Sequence, residues 1–121
     1  MPQRRPIVAL ALLVTGAAHA AFPERPVRLI VPYPAGGPND ILARMVGQKL
    51  GEAWNQQVVI DNRPGAGGNL AAELAAKATA DGYTLILPAI AYAVNPTLYS
   101  KVPYRFGDFA AVSIVAKGPL V

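Results

Sequence analysis

Two glycine-rich stretches, Pro34-Ala35-Gly36-Gly37-Pro38-Asn39-Asp40 and Arg63-Pro64-Gly65-Ala66-Gly67-Gly68-Asn69, each follow a short β-branched run and precede a segment of helical periodicity. This repeated order constrains the fold more than any other feature. The first run, Val27-Arg28-Leu29-Ile30-Val31, is bounded by Pro26 and Pro32 and predicts a short buried strand. The second is Gln57-Val58-Val59-Ile60-Asp61. A third, Tyr83-Thr84-Leu85-Ile86-Leu87, follows an Asp81-Gly82 turn, and its near-continuous apolar character predicts a strand buried on both faces.

Helical spacing fills the intervals. Ile41, Leu42, Met45, Val46 and Leu50 form one apolar stripe, with Arg44, Gln48 and Lys49 on the outward face. Pro38 suits the first helical turn because its φ is already helical and its missing N–H is not needed there. Asn39 and Asp40 favour the positive end of the dipole, so the helix is expected to start near Gly37, with Gly51 as its left-handed cap. Leu70, Ala71, Leu74, Ala75 and Ala78 predict a second, alanine-rich helix. The resulting βαβαβ order predicts an α/β fold with a mostly parallel sheet and both glycine loops on one carboxyl edge. Further on, Asn95-Pro96 reads as a turn, Thr97 to Ser100 as a helical turn and Ala110 to Val115 as another strand.

The apolar share of 53% is high, and much of the excess lies at the N-terminus. Arg4 and Arg5 precede the uncharged stretch Ile7 to Ala18, and Ala18-His19-Ala20 has the small-x-small form cut by signal peptidase. A helix over that stretch would span about 18 Å, against a bilayer core of roughly 30 Å, which favours a cleaved signal peptide over a membrane anchor. Residues 1-20 are therefore read as a signal peptide and 21-121 as the mature part. Loss of Arg4 and Arg5 takes the formal charge from +4 to +2. No run of Lys and Arg remains, so nucleic-acid binding is not expected.

The chain has no cysteine, which excludes disulfides, thiolate catalysis, thiolate metal sites and a lipidated cysteine tether. Its one histidine, His19, falls in the expected leader, so the mature part has no histidine base or metal ligand. The ending Gly118-Pro119-Leu120-Val121 is apolar, without a polar tail, and predicts a fold that continues beyond it.

At the carboxyl edge of a parallel sheet, loops between strand and helix present unpaired N–H groups and the positive ends of helix dipoles, a place where anions bind. Gly36, Gly37, Gly65, Gly67 and Gly68 are candidate backbone donors, because without Cβ they can adopt positive φ and let a ligand approach. The plainer alternative is that they only make tight turns. Asp40 has two readings: a cap on backbone N–H groups, or a carboxylate facing a ligand amine or ordered water. Tyr33 and Tyr92 lie at strand ends and either line a pocket or simply pack there. A dinucleotide cofactor is not expected. Leu70 stands where the fingerprint wants its last glycine, and Pro88-Ala89-Ile90 supplies no acidic residue for a ribose.

Several ordered blocks together carry a resemblance. Val27-Arg28-Leu29-Ile30-Val31-Pro32-Tyr33-Pro34-Ala35-Gly36-Gly37 with Asp40 and Ala43-Arg44, then Val58 to Gly68, Asp81-Gly82-Tyr83-Thr84-Leu85, Asn95-Pro96-Thr97-Leu98-Tyr99 and Asp108-Phe109 closely resemble the Bug receptors. These are the solute-binding proteins of tripartite tricarboxylate transporters. The resemblance implies an α/β, periplasmic-binding-protein-like (type II) lobe with a mixed, mostly parallel sheet. It implies no catalysis and no cofactor.

The implied ligand is a small organic carboxylate: a di- or tricarboxylate, or an aromatic or amino acid. A monomeric periplasmic receptor would hold it by backbone N–H groups and ordered waters and hand it to membrane transporter subunits. Carried over, the ligand-binding positions are Tyr33, Ala35, Gly36, Gly37, Asn39 and Asp40 in the first loop. In the second they are Gly65, Ala66, Gly67, Gly68 and Asn69, with Tyr92 from a third. Family members are far longer, so 21-121 is expected to be the N-terminal part of a first lobe. Two rivals stand beside this reading: an anion-recognising α/β enzyme with its catalytic residues downstream, and a truncated, nonfunctional product.

Overall fold

The computed structural model describes residues 21–118. The expected signal peptide, its cleavage after Ala20, His19 and the last three residues lie outside the described residues.

Strands β1 (Val27–Val31), β2 (Val58–Asn62) and β3 (Thr84–Ile86) form a parallel sheet in the order β2-β1-β3. Between them run helices α1 (Pro38–Trp54) and α2 (Asn69–Ala76), and α3 (Ala91–Leu98) follows β3. The βαβαβ order is as expected, and all three strands run the same way. β1 takes the centre because its run, apolar but for Arg28, can be covered on both faces: Val27, Ile30 and Val31 are fully buried. Leu29 and Val31 pack with Ala43 of α1, and α2 touches both β1 and β3 from its own side. In register, Val31 stands opposite Asn62, so β1 and β2 end level and their following loops leave side by side.

Five expectations are corrected. The contact face of α1 runs along Asp40, Ala43 and Gly47, leaving Ile41 and Met45 exposed. Gly47 is the reason. A Cβ there would stand 3.0 Å from Ile60 Cδ1, so the smallest residues let the helix sit closest to β2 and turn the bulkier stripe aside. The helix also passes through Gly51 to Trp54, and the left-handed cap is Asn55 at φ 50°, whose N–H reaches back to Gly51 O.

Asn95-Pro96 lies inside α3 rather than in a turn. Proline removes the N–H that would bond the carbonyl of Tyr92, and the Tyr104 hydroxyl donates to that carbonyl instead, at 2.8 Å. Finally, Ala110 to Val115 forms no strand. A strand needs a partner ladder, and this stretch pairs with no described strand, leaving Val112 and Ile114 largely exposed. β3 is likewise only half-buried, as the sheet's edge position dictates.

Candidate ligand-binding site

The first glycine loop closes on Asp40, which is 2% exposed. Asp40 Oδ2 accepts from the Gly36 N–H and from Arg44 Nε, both at 2.9 Å, and Oδ1 accepts from Asn62 Nδ2 at 3.0 Å. The same Asn62 nitrogen donates to Tyr33 O at 3.0 Å. Asn62 ends β2 and so roots the second loop, which makes Asp40 the knot between the two loops. The Arg44 guanidinium, helped by the Gly36 N–H and Asn62, holds the Asp40 carboxyl down at about 2. The carboxylate is thus ionised, and both of its oxygens accept hydrogen bonds within the protein.

Occupation of the Gly36 N–H by Asp40 leaves other donors open. The N–H groups of Ala35, Gly37 and Asn39 find no acceptor among the described residues. Gly36 needs glycine, since its φ of 87° is left-handed, whereas Gly37 at φ −79° sits where any residue can.

The second loop turns in the opposite hand to a helix. Ala66, Gly67 and Gly68 lie at φ 48°, 61° and 92°, a left-handed turn just before α2, and Ala66 adopts it despite its Cβ. The N–H groups of Gly65, Ala66 and Gly67 have no acceptor among the described residues, while that of Gly68 returns to Gly65 O. α3 secures this loop: Asn95 Nδ2 donates to Gly67 O and to Asn69 Oδ1, both at 2.8 Å. At the loop's root, Arg63 turns to Asp61, which Arg28 holds from the other side. Burial pushes the Asp61 carboxyl up, but the two guanidiniums prevail and lower it.

The predicted residues fall into two groups. Tyr33, Ala35, Gly36, Gly37, Asn39, Gly65, Ala66, Gly67, Gly68 and Asn69 share the sheet's carboxyl edge, with Asp40 beneath them. Tyr92 lies further along on α3, stacked on Tyr104 at 5.1 Å and met edge-on by Phe106 and Phe109. Tyr33, Gly68, Ala89 and Tyr92 help line a crevice of about 10 Å³, close to the room one water molecule needs. Pro88 and Ala89, in the loop after β3, add apolar wall. A wider groove of about 470 Å³ opens between α1 and β2 and contains none of the predicted residues.

Asn62 and Asn95 were absent from the predicted set. Asn62 carried a signal, a polar residue closing an apolar strand just before a glycine loop. Asn95 carried none, because its partners lie 26 and 28 residues away. No group of three or more potential metal ligands occurs among the described residues.

This arrangement can hold an acceptor-rich ligand by several backbone donors without bringing a formal positive charge to it. Residues 42–121 match the model described as "Tripartite tricarboxylate transporter family receptor". Protein BugT of Bordetella pertussis is 38% identical over 117 residues, 94% of this chain and 36% of its own. A solved Rhodopseudomonas palustris protein with adipate superposes with TM-score 0.68 at 42% identity, covering 70% of this chain and 29% of that one. MatC from the same organism, with bound malate, gives TM-score 0.52 at 45% identity over 54% of this chain and 22% of that chain. The chain spans little more than a third of the length of the curated relatives it matches. With 80 consecutive residues, 42 through 121, falling within that family model, the chain belongs to the receptor family of tripartite tricarboxylate transporters.

Proposed function

We propose that residues 21-121 are the N-terminal part of the first ligand-binding lobe of a periplasmic receptor. The receptor captures a small organic carboxylate and presents it to membrane transporter subunits. The observation that carries this reading is the pairing of two glycine loops at one sheet edge, each with at least three backbone N–H groups lacking an acceptor among the described residues. Carboxylate oxygens satisfy such donors, and the partial positive charge at the start of α1 favours them. Adipate and malate in the two solved relatives are ligands of this class. Asp40 does not oppose the anion, because Arg44 already neutralises it.

Binding without catalysis fits the same residues. Both Asp40 oxygens are occupied, and the loops hold no nucleophile beside a base. The binding positions are those named from the sequence, with Asp40 acting by holding the first loop in shape, Tyr92 as an outer wall and the receptor acting as a monomer. A signal peptide over residues 1-20 exports it.

Calorimetry of the intact receptor against mono-, di- and tricarboxylates is the test. Saturable binding of at least one, with a rise in Tm by mass action, is expected, and silence across the panel at millimolar concentrations would refute the reading. Sequencing the exported protein from its N-terminus should begin at Ala21; retention of Arg4 and Arg5 would overturn the cleavage.

A further inference from the structure

Asn69 is 6% exposed, yet only half of its amide is in use. Its Oδ1 accepts from Asn95 Nδ2, while its own Nδ2 finds no acceptor among the described residues. No side-chain nitrogen or oxygen among the described residues is both fully buried and unpartnered, so this nitrogen reaches open space.

Chemistry fixes which end of each amide is which. The carbonyl oxygen of Gly67 can only accept, so the Asn95 atom 2.8 Å from it must be the NH2 group. That nitrogen can only donate, so the Asn69 atom it meets, also at 2.8 Å, must be the oxygen. The Asn69 nitrogen is thereby turned away from Asn95, on the first residue of α2, directly after the second loop in the chain.

We infer that Asn95 is a positioning residue that selects ligand polarity: by seizing the oxygen of Asn69 it makes that side chain a donor toward the site, suited to a carboxylate. The inference rests on the carboxylate-receptor reading and names a residue outside the two loops. Without Asn95 the Asn69 amide can rotate by half a turn and offer its oxygen to a ligand oxygen, which repels it. Asn95 also ties Gly67 O, so its loss loosens the left-handed turn, and the test must separate the two effects.

The test is a double-mutant cycle in the intact receptor, using whichever carboxylate binds most tightly in the panel. N95A is expected to weaken binding at least tenfold, as is N69A. If Asn95 works through Asn69, N95A in the N69A background costs less than about twofold more. Unchanged affinity in N95A overturns the inference. So does an equal loss in both backgrounds, which would make Asn95 a scaffold for the loop alone.

Side-chain amide hydrogen exchange in the unaltered receptor keeps the inference falsifiable should N95A fail to fold. Without ligand, the Asn95 NH2 should be protected and the Asn69 NH2 exchange freely, the latter becoming protected on binding. The reverse order overturns the inference. A receptor that binds nothing in the panel refutes the carboxylate reading, while the ligand-free exchange pattern still decides which way the Asn69 amide is turned.

Discussion

The two glycine loops leave neighbouring strands at one sheet edge, yet different chemistry holds them. The first closes over a buried, ionised carboxylate with an arginine, a backbone N–H and an amide as donors. The second bends left-handed through Ala66, Gly67 and Gly68 and is held by a neutral amide from α3. Charge-assisted bonds to a buried anion are strong and costly to leave half-made, whereas a neutral amide contributes modestly. The first loop is therefore anchored to the core through Asp40. The second depends on a helix laid down later in the chain, and backbone geometry does the work that charge does in the first.

The largest expected effect comes from removing the knot. Asp40→Ala leaves the Asn62 amide, the Gly36 N–H and the Arg44 guanidinium without their acceptor, and should bring the largest fall in urea midpoint of any change at either loop. Affinity for carboxylate should fall by at least about tenfold, roughly 1.4 kcal/mol of binding energy. A midpoint within error of the unaltered protein would erase the distinction between the loops.

Acid should reproduce part of that loss reversibly, and in the first loop only. Asp40 has a folded value of about 2, against its ordinary 3.8. A lowered folded value means that its stabilisation is complete above about pH 4 and lost as pH falls through about 2. The Gly36 amide should titrate in NMR with a midpoint near about 2, while the Gly67 amide follows no carboxylate. A shared titration would show the two loops to be one unit.

Backbone strain sharpens the comparison from the other side. Gly67→Val forces a β-branched residue to φ 61° with its Cβ 3.0 Å from Tyr99 Oη, and should cost about 1–3 kcal/mol in chemical unfolding. The smallest effect is expected at Gly37→Ala, where φ is −79° and the nearest atom to the new Cβ, Pro34 O, lies at an ordinary 3.6 Å. That change should stay within about 0.5 kcal/mol. A Gly37 variant as damaged as the Gly67 variant would mean that close packing, not φ, governs both.

Much of this was legible residue by residue. Val27 to Val31 read as a buried strand because no polar residue but Arg28 interrupts it, and Pro38 marked the start of α1 because its fixed φ suits only that end. The rest failed for identifiable reasons. Helical periodicity picked Ile41 and Met45 for the core, but the helix approaches β2 along Ala43 and Gly47, where a hydrophobicity pattern sees little. Ala110 to Val115 has strand composition, yet a strand is a property of a pair. Asn95-Pro96 looked like a turn until Tyr104 supplied the donor that the proline lacks.

By itself, then, the sequence determined the βαβαβ order from β1 to β3, the position of both glycine loops and the family they resemble. These follow from local rules: periodicity, the proline ring and the missing glycine side chain. Only the tertiary structure decided which donors stay free and which way the amides face. Asp40 meets Asn62 across 22 residues, and Asn95 meets Gly67 across 28. Hydrogen-bond partners that far apart are chosen by how the elements pack, and no local pattern encodes them.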